Sequence, residues 1–65
     1  MKTATHFDPE WLRVRLAVLN MSARELVTAL RKEGIEASQS SVYRWMRGDR
    51  GPGARQIQAM RKVLR

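Results

Sequence analysis

Apolar residues recur at helical spacing in four segments of the chain, and polar or helix-stopping residues separate these segments. The first segment follows Asp8, which suits an N-cap, and Pro9, which suits the first position of a helix. Its apolar stripe consists of Trp11, Leu12, Leu16, Val18 and Leu19. We therefore expect a first helix from Asp8 to about Asn20, with this stripe turned inward.

Two further segments have boundaries that are just as clear. Ser22 and Glu25 are three residues apart and form a capping box, which predicts a second helix that starts at Ser22 and stops at Gly34. A third helix is predicted from Ser38 to Gly48. The apolar residues expected to face inward are Leu26, Val27 and Leu30 in the second helix and Val42, Trp45 and Met46 in the third.

The last segment follows a loop with the sequence GDRGPG, residues 48–53, whose glycines and proline oppose helix formation. A fourth helix is predicted from Ala54 onward, and its apolar face consists of Ala54, Ile57, Met60 and Leu64. Because no segment of real length alternates with a period of two, we expect no sheet. The sequence predicts one all-α domain over residues 1–65, ordered from about residue 8 to 64 and built as a compact bundle of four to five short helices. The residues expected to be most buried are Leu16, Leu26, Leu30, Val42, Trp45 and Ile57.

Basic charge is concentrated in the second half of the sequence. Residues 1–37 have six basic and five acidic residues, whereas residues 38–65 have seven basic residues and one acidic residue, Asp49. A strongly basic half favours a surface that contacts a polyanion, and an inert solvated surface is the alternative. The ten arginines outnumber the three lysines. This favours nucleic acid, because a guanidinium can bind phosphate or guanine through two hydrogen bonds.

The composition argues against catalysis and metal binding. The chain has no cysteine, and its single histidine, His6, lies near the N-terminus, so we expect no disulfide, metal site or cofactor. The sequence shows no nucleophile–base pair, no carboxylate pair in an apolar setting and no glycine-rich phosphate loop, so we expect no enzymatic activity. It also shows no apolar run as long as a membrane span and no apolar N-terminal signal region, which predicts a cytoplasmic protein.

The third predicted helix has a polar face opposite its apolar one. The side chains on this face are suited to base edges and phosphates: Gln39, Ser40, Tyr43, Arg44 and Arg47. Glutamine can pair with adenine, arginine with guanine, and serine with a base or a phosphate. Tyr43 either contacts a sugar or a thymine methyl group, or lies over Arg47 on a solvated surface. The N-cap at Ser38 leaves backbone N–H groups pointing outward, where a phosphate is favourable.

The stretch SQSSVYRWMRG, residues 38–48, resembles the recognition helix of the lambda repressor/Cro-type helix-turn-helix proteins. The resemblance extends to SARELVTAL before it and to GPGARQIQAM after it, and it implies a helix-turn-helix that places residues 38–48 in the major groove of DNA. By position it implies base contacts from Gln39, Ser40 and Arg44, with a base or phosphate contact from the adjacent Ser41. It implies contacts with the DNA backbone from Ser22, Arg24, Arg47 and Arg50. The reasoning above adds Tyr43 to the candidate base contacts and Ser38 to the candidate backbone contacts.

Three features of the chain depart from that family. Gly34 and Val42 are eight residues apart, whereas the family has about six residues there, so the tilt of the third helix can differ. Met46 stands where the family often has a glutamate that pairs with an arginine of the first helix. The fourth predicted helix runs to the end of the sequence, whereas many members of the family have a fifth helix through which they dimerise.

These features predict a sequence-specific double-stranded DNA-binding protein. The resemblance implies a small Cro- or repressor-like transcriptional regulator, as in phages and mobile elements, which acts by occupying its operator. We expect neither a small-molecule ligand nor a membrane partner. One helix reads about four base pairs, which predicts a weak homodimer, or a dimer formed on DNA, that binds an inverted repeat. The apolar residues expected in its interface are Met46, Met60, Val63 and Leu64.

Two other functions stay open at this point. The chain could be a basic helical module that binds an acidic protein, with Ile57, Met60 and Leu64 forming a groove or a ridge for that partner. RNA is a weaker third option, because no sheet offers an aromatic stacking platform. A steep fall of duplex affinity with added salt, together with a preference for one sequence, distinguishes the DNA-binding protein from the protein-binding module.

Overall fold

The computed structural model describes residues 7–65, and within this range the chain forms four α-helices and no strand. The helices are α1 (Pro9–Val18), α2 (Ala23–Lys32), α3 (Gln39–Arg47) and α4 (Ala54–Val63). The expected all-α bundle of short helices is therefore confirmed. His6, for which no metal or catalytic role is expected, lies outside the described residues. No helix in the described range is long and apolar enough to cross a membrane.

Helices α1 and α2 begin with the side-chain caps that the sequence predicts. At the start of α1, Asp8 Oδ1 accepts a hydrogen bond from the N–H of Glu10 at 3.0 Å. At the start of α2, Ser22 Oγ accepts from the N–H of Glu25 at 3.1 Å, and Glu25 Oε1 accepts from the N–H of Ser22 at 2.8 Å. The capping box is therefore complete, and each cap satisfies a backbone donor that has no partner inside its helix.

Helix α4 begins differently, because its N-cap residue is Gly53, which has no side chain. The amide of Gln56 pairs with the backbone instead. Its Oε1 accepts from the N–H of Gly53 at 2.8 Å, and its Nε2 donates to the carbonyl oxygen of Glu36 at 3.3 Å. Glu36 belongs to the connection between α2 and α3, residues 33–38. Gln56 therefore joins that connection to the start of α4.

Residues in the left-handed backbone region mark the ends of the first three helices. Gly34 follows α2 with a φ of 80°, and Gly48 caps α3 with a φ of 82°. Both glycines were expected as stop signals, and glycine is the residue that adopts this region with least strain. Asn20 has a φ of 53°, so α1 ends at Val18, two residues before the predicted position. Asparagine tolerates this conformation better than most residues.

The core lies between the four helices and consists of apolar side chains. Its buried members are Leu12, Leu16, Ala23, Leu26, Leu30, Val42, Trp45, Ile57, Ala59, Met60 and Leu64. All six residues expected to be most buried are among them, and Trp45 has only 3% of its surface exposed. Partly buried apolar residues, including Trp11, Val27 and Met46, pack around this cluster.

Three apolar residues that were expected to face inward are exposed. Val18 is 66% exposed, because it lies about 200° around the helix axis from Leu16, at about 100° per residue. Leu19 is 38% exposed and is the C-cap of α1, where the chain leaves the helix. Ala54 lies in the first turn of α4 and is also exposed, so the buried face of that helix starts at Ile57.

Helix α3 packs against both α1 and α2, and α2 also packs against α4. Two arginines of α1 connect parts of the chain that are distant in sequence. Arg13 Nη1 donates to the carbonyl oxygen of Met46 near the end of α3. Arg15 donates from Nε and Nη2 to the carbonyl oxygen of Leu64 at distances of 2.9 and 2.7 Å. These contacts place positive charge at the C-terminal ends of α3 and α4, where the helix dipole favours it.

Gly48 has a left-handed backbone conformation and a close neighbour. A substitution at Gly48 therefore tests how the end of α3 contributes to stability. A Cβ atom at Gly48 would lie 3.4 Å from Cγ of Pro9. Gly48→Ala should lower the free energy of unfolding by about 1–2 kcal/mol, because an L-residue is strained at this φ. At Gly51 a Cβ atom would meet no heavy atom within 4 Å, so Gly51→Ala should change stability by less than about 0.5 kcal/mol. Urea denaturation compares the two variants with the parent, and equal stability of the two variants would contradict this account.

Candidate nucleic-acid interface

The polar face of α3 points into solvent. Because α3 turns by about 100° per residue, burial of Val42 and Trp45 directs the opposite side of the helix outward. The five residues predicted on that side are all exposed: Gln39, Ser40, Tyr43, Arg44 and Arg47. Ser40, Arg44 and Arg47 lie opposite the buried pair, whereas Gln39 lies only about 60° from Val42 and is exposed as the first residue of the helix. Tyr43 is 51% exposed. The outward orientation that the sequence predicts for this face is confirmed.

Four of these five side chains have no polar partner within residues 7–65. Gln39, Ser40, Tyr43 and Arg44 make no side-chain hydrogen bond and no ion pair in this range, unlike the neighbouring Arg47. Their amide, hydroxyl and guanidinium groups are therefore available to a ligand. Direct reading of base edges requires groups of this kind, held on a rigid element and not yet paired.

The N-terminus of α3 is capped by Ser38, and this cap occupies the Ser38 hydroxyl. Ser38 Oγ accepts from the N–H of Ser41 at 3.1 Å and donates to Ser41 Oγ at 3.1 Å. The N–H groups of Gln39 and Ser40 lie in the first turn and have no partner inside the helix. A phosphate at this end of α3 would therefore meet these N–H groups rather than the Ser38 hydroxyl. Ser41 is half-buried and belongs to the same cap.

A groove runs along one side of α3, between the end of α1 and the start of α2. Its volume is about 450 Å³, and its lining includes Arg13 of α1, Ser22 at the start of α2, and Tyr43 and Met46 of α3. Ser22 and Tyr43, two of the predicted contact residues, therefore border the same groove. Arg24 is exposed on α2 but is not part of the lining.

A second, more polar pocket lies on the other side of α3. Its volume is about 410 Å³, and its lining includes Ser41 and Arg44 of α3, Arg50 and Gly51 of the loop, and Gln56 of α4. Two guanidinium groups thus border one pocket. Because like charges that face a shared pocket favour an anion, this pocket suits a phosphate of the backbone beside the groove.

Arg47 is already paired inside the chain. Its Nε lies 2.9 Å from Asp49 Oδ2, and both side chains are more than half exposed, at 63% and 58%. Asp49 is also the one acidic residue in the basic half of the sequence. An exposed ion pair of this kind is weak and easily exchanged, so a phosphate can compete for Arg47, but Asp49 opposes that contact.

Arg13 is a residue near this surface that the predicted contacts do not include. Its guanidinium borders the groove and binds the carbonyl oxygen of Met46, 33 residues later in the chain. Met46 occupies the position where the family that the chain resembles often has a glutamate paired with an arginine of the first helix. Here the arginine pairs with the backbone carbonyl of Met46, a contact that needs no carboxylate at this position. The family's arginine–glutamate pair was the signal that could have identified Arg13.

The predicted contact residues lie mainly on α3 and on the grooves beside it. Ser22 joins this surface through the first groove and Arg50 through the second, whereas Arg24 lines neither groove. The members on α3 itself are Gln39, Ser40, Ser41, Tyr43, Arg44 and Arg47. Comparison of the chain with protein-family models, curated proteins and solved structures found no match.

Asp49→Asn tests the charge balance of this surface. The change releases Arg47 and removes the acid beside it, so affinity for any duplex should rise by a similar factor, on the order of two- to tenfold at low salt. Fluorescence anisotropy with one specific and one random duplex measures the effect. Glu33→Gln is the matched control, because it changes the net charge equally and releases Lys62, a cation that lines neither groove beside α3. An equal gain in both variants would show that net charge alone matters and not the position of Asp49.

Proposed function

We propose that this protein is a sequence-specific double-stranded DNA-binding protein that inserts the N-terminal part of α3 into the major groove. The observation that carries the proposal is the exposed, unpaired polar face of α3, with Gln39, Ser40 and Arg44 above a buried Val42 and Trp45. The major groove is about 12 Å wide and admits one α-helix. Amide and guanidinium groups can pair bidentately with adenine and guanine at its floor.

The elements beside α3 are suited to grip the DNA backbone. In this proposal α2 and α3 form a helix-turn-helix, and Ser22 and Arg24 at the start of α2 contact phosphates on one side of the groove. Arg47 and Arg50 contact phosphates on the other side, where Arg50 and Arg44 border the polar pocket. Contacts on both sides of the groove would fix the register of α3, so that its side chains meet defined base pairs.

The proposed role of the protein is to regulate transcription by occupying an operator. The described residues form four short helices around one core, and the two grooves described above lie beside α3. A protein of this kind acts on a promoter by covering a site. The resemblance to the lambda repressor/Cro-type proteins supports the same role.

The alternative function, a module that binds an acidic protein, depended on apolar residues of α4 that are buried in the structure. In that alternative Ile57, Met60 and Leu64 form a groove or a ridge for a partner, but they are 5%, 0% and 0% exposed. They are buried because they form the side of α4 that faces the core. The prediction of an apolar docking surface on α4 is therefore wrong.

Selection of bound sequences from a random duplex pool tests the proposal directly. We expect a consensus of about four base pairs per protomer, and a fall of affinity with salt that corresponds to about three to five phosphate contacts. Titrations of the selected duplex and a shuffled duplex over a range of salt concentrations measure both properties. An absence of any consensus, or an affinity that does not change with salt, would contradict DNA recognition by α3.

A pair of arginine variants separates base reading from backbone contact. Arg44→Ala should weaken binding to the selected site by about 1–3 kcal/mol and relax the preference at one base pair. Arg50→Ala should weaken all duplexes about equally and reduce the salt slope by about one unit. Arg31→Ala, at an exposed position in the last turn of α2, removes the same charge away from the proposed interface. If Arg44→Ala and Arg50→Ala lose the same affinity on selected and random DNA, the assigned roles are wrong.

A further inference from the structure

The apolar side of α4 faces the core of its own protomer, so it is not free to contact a partner. Met60 and Leu64 are both 0% exposed, and Met46 of α3 and Val63 are only partly exposed. The dimer interface predicted on α4 is therefore wrong. The side of α4 that is open to solvent is its polar side, and the proposed function assigns no role to that side.

Most of the positive charge in the basic half of the sequence belongs to α4 and not to α3. Residues 38–53, which include α3 and the loop after it, have three basic residues and one acidic residue. Residues 54–65, which include α4, have no acidic residue and four basic ones: Arg55, Arg61, Lys62 and Arg65. The excess of positive charge that favours a polyanion is therefore +2 in the segment of the proposed interface and +4 in the segment of α4.

The helical repeat places three of these cations on the outer side of α4. At about 100° per residue, the buried residues of α4 span an arc of about 160° around the helix axis. Arg55, Arg61 and Lys62 are exposed and lie within an arc of about 120° on the other side. Arg55 and Lys62 are about 10 Å apart along the axis. We call Arg55, Arg61 and Lys62 the basic face of α4.

The cations of the basic face have few partners within residues 7–65. Arg55 and Arg61 make no ion pair and no side-chain hydrogen bond in this range. Lys62 Nζ lies 3.2 Å from Glu33 Oε1, but the two side chains are 61% and 34% exposed, so this pair is weak and easily exchanged. No residue of the basic face lines either groove beside α3. The basic face is therefore open to a ligand and lies outside the proposed interface.

The chemistry of this surface favours phosphate groups over a protein partner. The large apolar residues that are exposed within residues 7–65 belong to α1, its C-cap and α3, and none belongs to α4. The centre of a protein–protein interface is usually rich in aromatic and apolar side chains, whereas contact with a nucleic-acid backbone requires only cations and hydrogen-bond donors. Two of the three cations are arginines, which bind phosphate through two hydrogen bonds. About 10 Å of duplex has about six phosphates on its two strands, so a face of this length can contact several of them.

We propose that the basic face of α4 binds the phosphate backbone of a second duplex segment while α3 occupies its own site, so that one protomer connects two segments of DNA. The proposal rests on the proposed function for the identity of its ligand. Three cations give a weak affinity that does not depend on sequence, so the face contributes little to the binding of one short duplex. It acts after α3 has fixed the protein on DNA, because a second segment of the same DNA molecule is then at a high effective concentration.

A capture experiment tests whether α4 holds a second duplex. The selected duplex is immobilised, the protein is bound to it, and a labelled duplex of random sequence is added. Arg55→Gln combined with Arg61→Gln should lower capture of the labelled duplex at least about fivefold and reduce its salt slope by about two units, because two phosphate contacts are lost. The affinity for a single short selected duplex should stay within about twofold of the parent.

Arg31→Gln combined with Lys32→Gln is the matched control, because it removes two cations at exposed positions in the last turn of α2. The control should retain capture within about twofold. Equal losses in the two double variants would show that net charge alone matters and would overturn the proposal. Full capture by the double variant of α4 would also overturn it, since the second duplex would then be held by another surface, such as α3 of a second protomer.

Nuclear magnetic resonance identifies both the surface and the class of ligand. With α3 saturated by a short selected duplex, added random duplex should shift the backbone amide signals of residues 54–65. A poly-glutamate peptide with the same number of charges should shift these signals only at higher concentration. If the peptide binds α4 as tightly as the duplex, or more tightly, the partner is an acidic protein and the proposal is wrong.

The outcomes also separate this proposal from the proposed function. An absence of sequence preference in the parent would overturn recognition of DNA by α3. The amide signals of α4, recorded with random duplex alone, would then still decide whether the basic face binds DNA. Shifts confined to the other helices would overturn the role of α4, whereas shifts of residues 54–65 would support it.

Discussion

Burial of Val42 and Trp45 determines the direction in which α3 faces. Both residues lie on one side of the helix, at 0% and 3% exposure, and α3 packs on α1 and α2 through that side. The helical repeat then directs Ser40 and Arg44 outward, and Gln39 is exposed because it is the first residue of α3. Since Val42 and Trp45 fix how α3 lies on α1 and α2, they also fix how its polar side chains are aligned with Ser22 of α2 and with Arg50 of the loop. The candidate interface is therefore a consequence of how the core is packed.

The second constraint is the small size of the domain. A chain of 65 residues buries only about 60% of the surface that its unfolded form exposes, so each helix end contributes appreciably to stability. Arg13 and Arg15 strengthen two of these ends by binding the carbonyl oxygens of Met46 and Leu64.

Local features of the fold could be predicted from the sequence, and features that depend on distant contacts could not. Ser22, Ser38 and Gly48 mark helix boundaries as expected, because caps and stops involve neighbouring residues only. The inward residues of α2 and α3 also follow from their spacing. The exposure of Val18 follows from its angle on α1, about 200° from Leu16, and the helical repeat could have shown it. The burial of Met60 depends on how α4 meets the core, and spacing within one helix does not show whether an apolar face is covered by the same chain or by a partner.

The candidate interface also has features that could be predicted from the sequence and features that could not. The outward side of α3 could be predicted from its helical repeat, which is local. The pairing of Arg47 with Asp49 and the contact of Arg13 with Met46 were not predicted, since they depend on loop geometry and on the packing of α1 against α3. The base that each side chain contacts depends on the DNA duplex as well as on the protein. Neither the sequence nor the fold of the free protein therefore identifies that base.

The double role of Gln56 has a mechanical consequence for α3. Its side chain holds the N–H of Gly53 and the carbonyl oxygen of Glu36 at the same time. Gly53 ends the loop that leaves α3, and Glu36 lies in the connection that enters it, so one amide braces both ends of the helix. The connection of residues 33–38 is thereby held to the start of α4 at Glu36. A change in the tilt of α3 that moves Glu36 away from Gly53 would therefore have to break one of the two hydrogen bonds of Gln56.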